Sequence, residues 1–402
     1  MPFPALDPTD PLNLEALLTD EERAVRDTVR QYLDDKVEPH IAGWFESGEL
    51  PALPELARDF GKMGLLGMHL EGYGCAGMSA RAYGVACREL EATDSGLRSF
   101  VSVQGSLAMF AIHRFGSEEQ KQEWLPRMAA GEAIGCFGLT EPDHGSDPAS
   151  MTTRARRDGG GTSRSKTGGD WILDGRKMWI TNGSVAAVAV VWAQTEDGVR
   201  GFVVPTDSPG FSAPLIKHKM SLRASVTSEL VLDRVRLPGS ALLPRARGVG
   251  APLTCLNEAR YGIVWGVTGA ARSAWRSARD YALQREQFGK PIAGFQLTQQ
   301  KLVDMALELH KATLTALQLS ALKDSDAGVH PAQISFGKLN NVREAIEICR
   351  TARTILGANG ISLEYPVIRH ANNLESVLTY EGTTEMHTLA LGQALTGLAA
   401  FR

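Results

Sequence analysis

The residues best suited to chemistry in this 402-residue chain fall in four separated segments. They are Phe137-Gly138-Leu139-Thr140-Glu141-Pro142-Asp143-His144-Gly145-Ser146-Asp147, Lys177-Met178-Trp179-Ile180-Thr181-Asn182, Arg285-Glu286-Gln287-Phe288-Gly289-Lys290-Pro291 and Tyr380-Glu381-Gly382-Thr383-Thr384-Glu385. Glu381 carries a carboxyl group, a type that can serve as a general base where an apolar setting raises its pKa by desolvating the charged form. Its alternative is a turn glutamate at the surface. Arg98 stands in Asp94-Ser95-Gly96-Leu97-Arg98-Ser99, and a guanidinium that is buried there would be costly unless paired. An internal pair with Asp94 or Glu91 would satisfy it equally well. Trp179 taken alone reads as an ordinary buried aromatic. The chain carries no Gly-x-Gly-x-x-Gly after a strand, no Walker loop and no His-Glu-x-x-His. Asp143-His144 lacks the further ligands a metal needs. Cys75, Cys87, Cys136, Cys255 and Cys349 are scattered, without a Cys-x-x-Cys pair, and read as packed thiols.

These segments need elements to hold them. Thr19-Asp20-Glu21-Glu22 is a capping box, followed by Val25, Val29, Leu33 and Val37 at fourfold spacing, a helix that Pro39 should end. Ser117-Glu118-Glu119-Gln120 opens a second capped helix toward Met128 and Ala129. From about Gly135 the pattern shifts to short β-rich runs at Trp171–Leu173, Val188–Trp192, Gly201–Val204 and Glu229–Leu232. Asp174-Gly175 and Asn182-Gly183 supply turn chemistry, and a Gly/Ser/Thr-rich surface loop runs from Asp158 to Gly169. Long helices are expected over Arg260–Gln284, Leu297–Lys323 and Ile334–Leu356, the last stopping at Gly357-Ala358-Asn359-Gly360. Segregated helices and strands predict an α+β chain: an N-terminal helical domain (1–134), a middle β domain of barrel-like or sandwich form (135–251) and a C-terminal four-helix-bundle domain (252–402). With 43% hydrophobic and 22% charged residues, a formal net charge of -4 and no apolar run of membrane-spanning length, the chain reads as globular. Neither a nucleic-acid partner nor a membrane anchor is indicated. The N-terminus has no basic start or apolar run, which argues against a signal peptide and for a cytoplasmic location, or the mitochondrial matrix in a eukaryote.

In these four segments, taken in order, the sequence resembles the acyl-CoA dehydrogenase family, from about Leu14 to Phe401. The resemblance implies an FAD enzyme that takes the α-proton of an acyl thioester while a hydride leaves the β-carbon. It gives Glu381 the role of base and makes the Gly382 N–H an oxyanion donor. Some members carry the base on the long helix just before an arginine. Here that place is Ala259, and Glu258 is one residue, about 100° of helix, away; Glu258 is expected to be a helix-surface charge. Phe137, Gly138, Leu139 and Thr140 should lie along the isoalloxazine, with Trp179 and Ile180 beside it and Thr181 donating to its N5. Ser146 is implied near the CoA chain. Arg285, Phe288, Gln296 and the Leu356, Gly357 and Gly360 turn should meet FAD from a neighbouring subunit, and Thr383 and Glu385 complete its site.

The Arg98 and Glu381 segments, with Cys255-Leu256-Asn257-Glu258-Ala259-Arg260-Tyr261-Gly262-Ile263, resemble the glutaryl-CoA-oxidising branch of the family. That branch implies Arg98 holding the distal carboxylate of glutaryl-CoA, with Ser99 and Glu91 in the same network. Leu256, Asn257, Arg260, Tyr261, Tyr380 and Gly382 line the substrate site. It further implies decarboxylation to crotonyl-CoA, electron-transfer flavoprotein as acceptor and a homotetramer. Thr93 and Leu97 stand where an apolar and an aromatic residue are common, Thr384-Glu385-Met386 departs from the usual residues, and Gly159–Lys166 resembles a surface insertion. Other readings are another short, branched or dicarboxylic acyl-CoA, glutaryl-CoA oxidation without decarboxylation, an acyl-CoA oxidase, a flavin monooxygenase, or a non-catalytic CoA-binding scaffold.

Overall fold

The computed structural model describes residues 5–158 and 170–400. The N-terminal third is helical: α1 (Asp20–Lys36), α2 (Glu38–Ser47), α3 (Leu53–Lys62), α4 (Ala80–Thr93), α5 (Ser95–Ser102), α6 (Phe110–Phe115) and α7 (Glu118–Ala129), with a π-helical turn over Val103–Met109. Both capping boxes form, Thr19 with Glu22 and Ser117 with Gln120. Pro39 does not end α1. That helix stops at Lys36, and Pro39 lies in the first turn of α2, where a missing N–H costs nothing.

The middle of the chain is a seven-stranded sheet of β1 (Gly135–Gly138), β2 (Arg154–Arg157), β3 (Trp171–Thr181), β4 (Val188–Thr195), β5 (Gly198–Pro205), β6 (Phe211–Ser212) and β7 (Thr227–Leu237). Its order is β1-β4-β2-β3-β7-β6, with β5 paired to β4. All four predicted β-rich runs fall in β3, β4, β5 and β7. Asp174-Gly175 is not a turn but lies inside β3, where the register to β7 shifts between Leu173 and Gly175. Two steps along β3, from Leu173 to Gly175, face three along β7, from Val235 to Leu232, so the extra residue lies on β7, where Arg234 is at φ +51. Asn182 does turn the chain, at φ +67. The loop and insertion read between Asp158 and Gly169 lie outside the described residues, save for Asp158, whose N–H donates to Asp170 O at 2.8 Å.

The C-terminal part holds α8 (Gly250–Gln284), α9 (Gln296–Lys323), α10 (Pro331–Leu356), α11 (Val367–Thr379) and α12 (Thr384–Thr396), with α8, α9, α10 and α11 packed as a bundle. A small hairpin, Glu286–Gln287 against Lys290–Pro291, links α8 to α9. Among the described residues no helix is long and apolar enough to cross a membrane. All five cysteines are free thiols, four of them buried.

The two helical parts meet where α4 crosses α8, and Gly269 sets that approach, since a Cβ there would lie 1.9 Å from Arg88 O. A Cβ on Gly266 would lie 2.1 Å from Glu91 Oε2 and 3.2 Å from Arg98 Cγ, so the α8 backbone serves as the wall of a buried charge cluster. Packing this close needs a residue without a side chain.

Candidate active site

Glu381 follows the last turn of α11, which ends at Thr379. It is in the left-handed region at φ +54, a conformation that disfavours residues with a Cβ. Its neighbour Gly382 is at φ +103, and a Cβ there would meet His387 Nε2 at 2.8 Å. Only glycine suits that place. Glu381 Oε2 is buried and has no hydrogen-bond partner among the described residues. Burial raises the Glu381 pKa above its ordinary 4.5, opposed by Arg98, Lys338 and Arg260. The result is a carboxylate that is hard to keep charged and free to take a proton.

Arg98, on α5, is fully buried, and its Nε donates to Glu91 Oε2 at 2.7 Å. A second guanidinium nitrogen bonds the Tyr380 hydroxyl, which Ser99 Oγ also reaches at 3.2 Å. Arg98 Nη1 and Glu91 Oε1 are left without partners among the described residues. Burial holds the Glu91 pKa up in spite of its arginine. Asp94, the other partner considered for Arg98, is committed elsewhere. It caps α5 through Gly96 N at 2.7 Å, pairs with Arg369 at 3.3 Å and accepts from Asn373 Nδ2 at 2.9 Å. Since Arg369 and Asn373 lie on α11, Asp94 ties the helix that carries Arg98 to the helix that leads into Glu381.

The expected substrate residues on α8 divide. Arg260 Nε donates to Glu381 O at 2.7 Å, and its Nη1 reaches Asn257 Oδ1 at 3.1 Å, while Leu256 is half-buried alongside. Tyr261, expected in the substrate site, is instead fully buried in the packing behind it. Its hydroxyl donates to Ala80 O at 2.8 Å and lies 2.7 Å from Ser320 Oγ. One step along a helix turns a side chain by about 100°, so Arg260 and Tyr261 serve different faces. Glu258 is not a free surface charge: Lys323 Nζ holds both its oxygens, at 2.9 and 2.8 Å.

The sheet brings the first two segments together. Lys177 Nζ, buried, donates to Leu139 O at 3.1 Å and to Glu141 Oε1 at 2.8 Å, and Met178 N donates to Thr140 O. Glu141 also accepts from the N–H groups of Thr152 and Thr153, and its pKa falls to about 2 as Lys177 and these donors override the cost of burial. Phe137, Leu139 and Ile180 are buried, and Gly138 packs on Lys177 and Leu230, while Thr140 and Thr181 are half-buried at the rim. Trp179 is not a core aromatic. It sits at φ +63 on a second β3 irregularity, between Lys177 and Ile180, and is 58% exposed. An outward indole flanked by two threonines at a strand end suits a planar, hydrogen-bonding ring, so these residues fit the flavin that the sequence implies. Ser146 is exposed on the following loop.

The end of β3 connects by hydrogen bonds to α11, the helix before Glu381. Asn182 N donates to Val226 O at 3.0 Å, and the loop before Val226 docks on α11 through Leu222 N to Asn373 Oδ1 at 2.7 Å and Ser221 Oγ to Ser376 Oγ at 2.6 Å. Arg285, Phe288, Gln296, Gly357 and Gly360 gather at another place, where α8 and α10 end and α9 begins, with Leu356 buried beneath. Asn359 Nδ2 joins the two helix ends at Tyr281 OH, 3.1 Å away. Phe288 is 95% exposed at φ +52, an aromatic ring with little in its own chain to cover it. Thr383 caps α12, and Glu385 is exposed in its first turn.

Two buried residues at the turn were not singled out from the sequence. Lys338 Nζ donates to Tyr380 O at 2.6 Å and Gly382 O at 2.5 Å. His387 packs against Gly382, and burial pushes its pKa down to about 3. A signal for Lys338 did exist. It falls on the buried stripe of α10, four residues from both Ile334 and Val342, where a charge needs a reason.

Helical, sheet and helical parts in series bring a buried carboxyl oxygen without a hydrogen-bond partner among the described residues, that of Glu381, within electrostatic reach of the buried Arg98. Three family models cover the chain: the acyl-CoA dehydrogenase N-terminal domain at residues 19–132, the middle domain at 136–235 and the C-terminal domain at 246–396. A probable acyl-CoA dehydrogenase of Bacillus subtilis is 33% identical over 386 residues, 94% of this chain and 98% of the relative. A glutaryl-CoA dehydrogenase structure from Mycobacterium smegmatis is 68% identical with a TM-score of 0.94, covering 98% of this chain and 99% of that one. A second from the same organism, in complex with FADH2, is 62% identical with a TM-score of 0.95, covering 99% and 100%. The chain belongs to the acyl-CoA dehydrogenase family.

Proposed function

We propose that this chain is an FAD-dependent dehydrogenase that oxidises glutaryl-CoA and releases crotonyl-CoA and CO2. The observation that carries the substrate is the unsatisfied Arg98 Nη1, a buried donor on a guanidinium that is 0% exposed. A buried donor left open is costly, and a distal carboxylate supplies the missing acceptor as a charge-assisted hydrogen bond. The resemblance of its segment and the two mycobacterial structures support the same acyl group.

In this reading Glu381 removes the α-proton of the thioester, and the Gly382 N–H donates to the thioester oxygen as negative charge builds there. When bound, FAD supplies the acceptor for the hydride that leaves the β-carbon. Trp179, Thr140 and Thr181 hold the ring. Loss of CO2 from the γ-carbon then leaves a dienolate on the thioester. The protonated Glu381 returns a proton to the γ-carbon, which gives crotonyl-CoA and resets the base. Arg98 releases the carboxylate as it becomes CO2, and Glu91 keeps the guanidinium paired meanwhile.

Electrons then pass to electron-transfer flavoprotein. Arg285, Phe288, Gln296 and the Leu356–Gly360 turn serve the FAD site of a neighbouring copy in a homotetramer, and the exposed Phe288 and the outward Leu297, Val303, Leu307 and Leu314 of α9 support a covering copy. Segments 1–134, 135–251 and 252–402 act as the three domains. A cytoplasmic location, or the matrix in a eukaryote, belongs to the same reading.

Anaerobic addition of glutaryl-CoA to the yellow enzyme tests it. Bleaching of the flavin band with crotonyl-CoA and CO2 as products is the expected result. Accumulation of glutaconyl-CoA would remove the decarboxylation. Bleaching by butyryl-CoA but not glutaryl-CoA would overturn the substrate.

A further inference from the structure

Three consecutive carbonyls of the turn around Glu381 each accept a hydrogen bond from a cationic side chain on another helix. Lys338 Nζ, on α10, holds Tyr380 O at 2.6 Å and Gly382 O at 2.5 Å, and Arg260 Nε, on α8, holds Glu381 O at 2.7 Å. We propose that Lys338, assisted by Arg260, is a positioning residue for the reaction: it clamps the Tyr380–Gly382 turn so that Glu381 keeps its left-handed backbone, and it sets a cation beside the carboxyl group. This rests on Glu381 being the base.

The geometry gives the clamp more to do than close a helix end. Carbonyls beyond the last turn of a helix are ordinarily met by water or by a backbone N–H from a glycine cap. Here a lysine that is 2% exposed serves two of them, and a buried ammonium is costly. The return is local. Glu381 at φ +54 and Gly382 at φ +103 are backbone states that a free chain rarely holds together. Drawing carbonyls 380 and 382 to one ammonium, and carbonyl 381 to a guanidinium on a different helix, fixes both.

The same ammonium acts on the carboxyl group through space. Glu381 is faced by Arg98 from α5, Lys338 from α10, Arg260 from α8 and Glu91 from α4, with Tyr380 beside it. Lys338 is faced in turn by Arg98, Arg260 and Glu381, and His387 of α12 lies close by. Burial pushes the Lys338 pKa down to about 7, and Glu381 is the group that holds it up. The attraction is mutual: Lys338 lowers the pKa of Glu381. Removing the charge therefore leaves Glu381 protonated to higher pH.

The test compares Lys338→Met, Lys338→Gln and Lys338→Arg with the parent as flavin-loaded holoenzyme, measuring kcat and KM for the acyl-CoA from pH 5 to 9 (about four units, enough to cross an acid limb). Glu381→Gln is carried as a control. Lys338→Met and Lys338→Gln are expected to lower kcat by about 10- to 100-fold, the size of a charged hydrogen bond, with KM little changed. Both should move the acid limb to higher pH, and Lys338→Arg should bring the limb back toward the parent. An unchanged kcat and limb in Lys338→Met would overturn the proposal. So would a fall in kcat with the limb unmoved in every variant, or failure of both uncharged variants to fold with flavin, since these describe a purely structural lysine. If Glu381→Gln keeps full activity, it is the base assignment that fails; if Glu381→Gln is inactive and Lys338→Met is normal, the clamp alone fails.

Discussion

Glu89 and Glu91 lie two residues apart on the same helix, both buried and both paired with arginine, yet they live in opposite electrostatic worlds. Glu89 is saturated. Arg30 reaches it at 3.0 and 3.2 Å, Arg272 at 2.9 and 2.6 Å, and Arg88 at 3.3 Å. Burial alone would raise its pKa, but Arg272, Arg88 and Arg30 together hold it far below the ordinary 4.5. Glu91 has the one arginine, Arg98, a free Oε1 and a pKa held up by burial. Two residues turn a helix by about 200°, so α4 gives Glu89 to Arg30 of α1 and Arg272 of α8, and Glu91 to Arg98 of α5. A charge cluster that closes on itself holds structure together. A cluster that leaves donors and acceptors open is held ready for something that arrives.

If that contrast is sound, substitutions should separate activity from stability by which cluster they touch. The largest effect belongs to the open one. Glu381→Gln should lower kcat by about 10²- to 10⁴-fold, with the melting temperature kept or raised because an unpaired buried carboxyl is neutralised. Steady-state kinetics beside a thermal melt reads both; a stability loss without a rate loss would reverse the assignment. In the parent, kcat should rise with pH along an acid limb lying above 4.5, because the working form is the carboxylate and burial raises its pKa.

Glu89→Gln should do the opposite, costing about 3–5 kcal/mol of stability by leaving the largely buried Arg272 without its carboxylate, although Arg88 keeps Glu15 at 2.8 Å, with kcat per folded molecule preserved. Chemical denaturation measures it. The pH dependence has a fixed sign. Glu89 binds its proton less readily folded than unfolded, so its contribution is complete above about pH 4.5 and is lost as the pH falls through the lower folded value.

Arg98→Gln should raise KM for a dicarboxylic acyl-CoA by about 10- to 100-fold, the worth of a charged hydrogen bond, and leave a monocarboxylic acyl-CoA little affected. Equal losses on both substrates would make Arg98 structural and bring Glu91 into line with Glu89. The smallest effect is expected of Gly266→Ala. Its Cβ would press on Glu91 Oε2, costing about 1–3 kcal/mol as an overpacked core does. It should also weaken dicarboxylate binding by displacing the Arg98 pair. Parallel melts and KM values check whether both losses come from the one methyl group.

Much of this protein was legible before any coordinates. The capped helices at Thr19 and Ser117 formed as read, because an N-cap hydroxyl and a glutamate or glutamine three residues on satisfy each other locally. The three long helices, the four β-rich runs and the helix stop at Gly357 also lay in local pattern. Local signals misled where a longer-range partner decided. Asp174-Gly175 has turn chemistry, but pairing with β7 keeps it within a strand, opposite a bulge on β7. Pro39 breaks helices in general, but here it begins one.

The site divides in the same way. The family resemblance carried by short motifs singled out Glu381, Gly382, Arg98, Glu91, Thr140 and Trp179, whereas Trp179 read alone looked like an ordinary core aromatic. Which partner Arg98 takes, that Asp94 belongs to Arg369, that Glu258 is closed off by Lys323, and that Lys338 lies beneath the base were decided by helix crossings between residues far apart in sequence. Helical periodicity places a side chain on a face. What that face meets depends on the packing of α4, α5, α8, α10 and α11 against one another, and the pKa of a buried group follows from that packing alone.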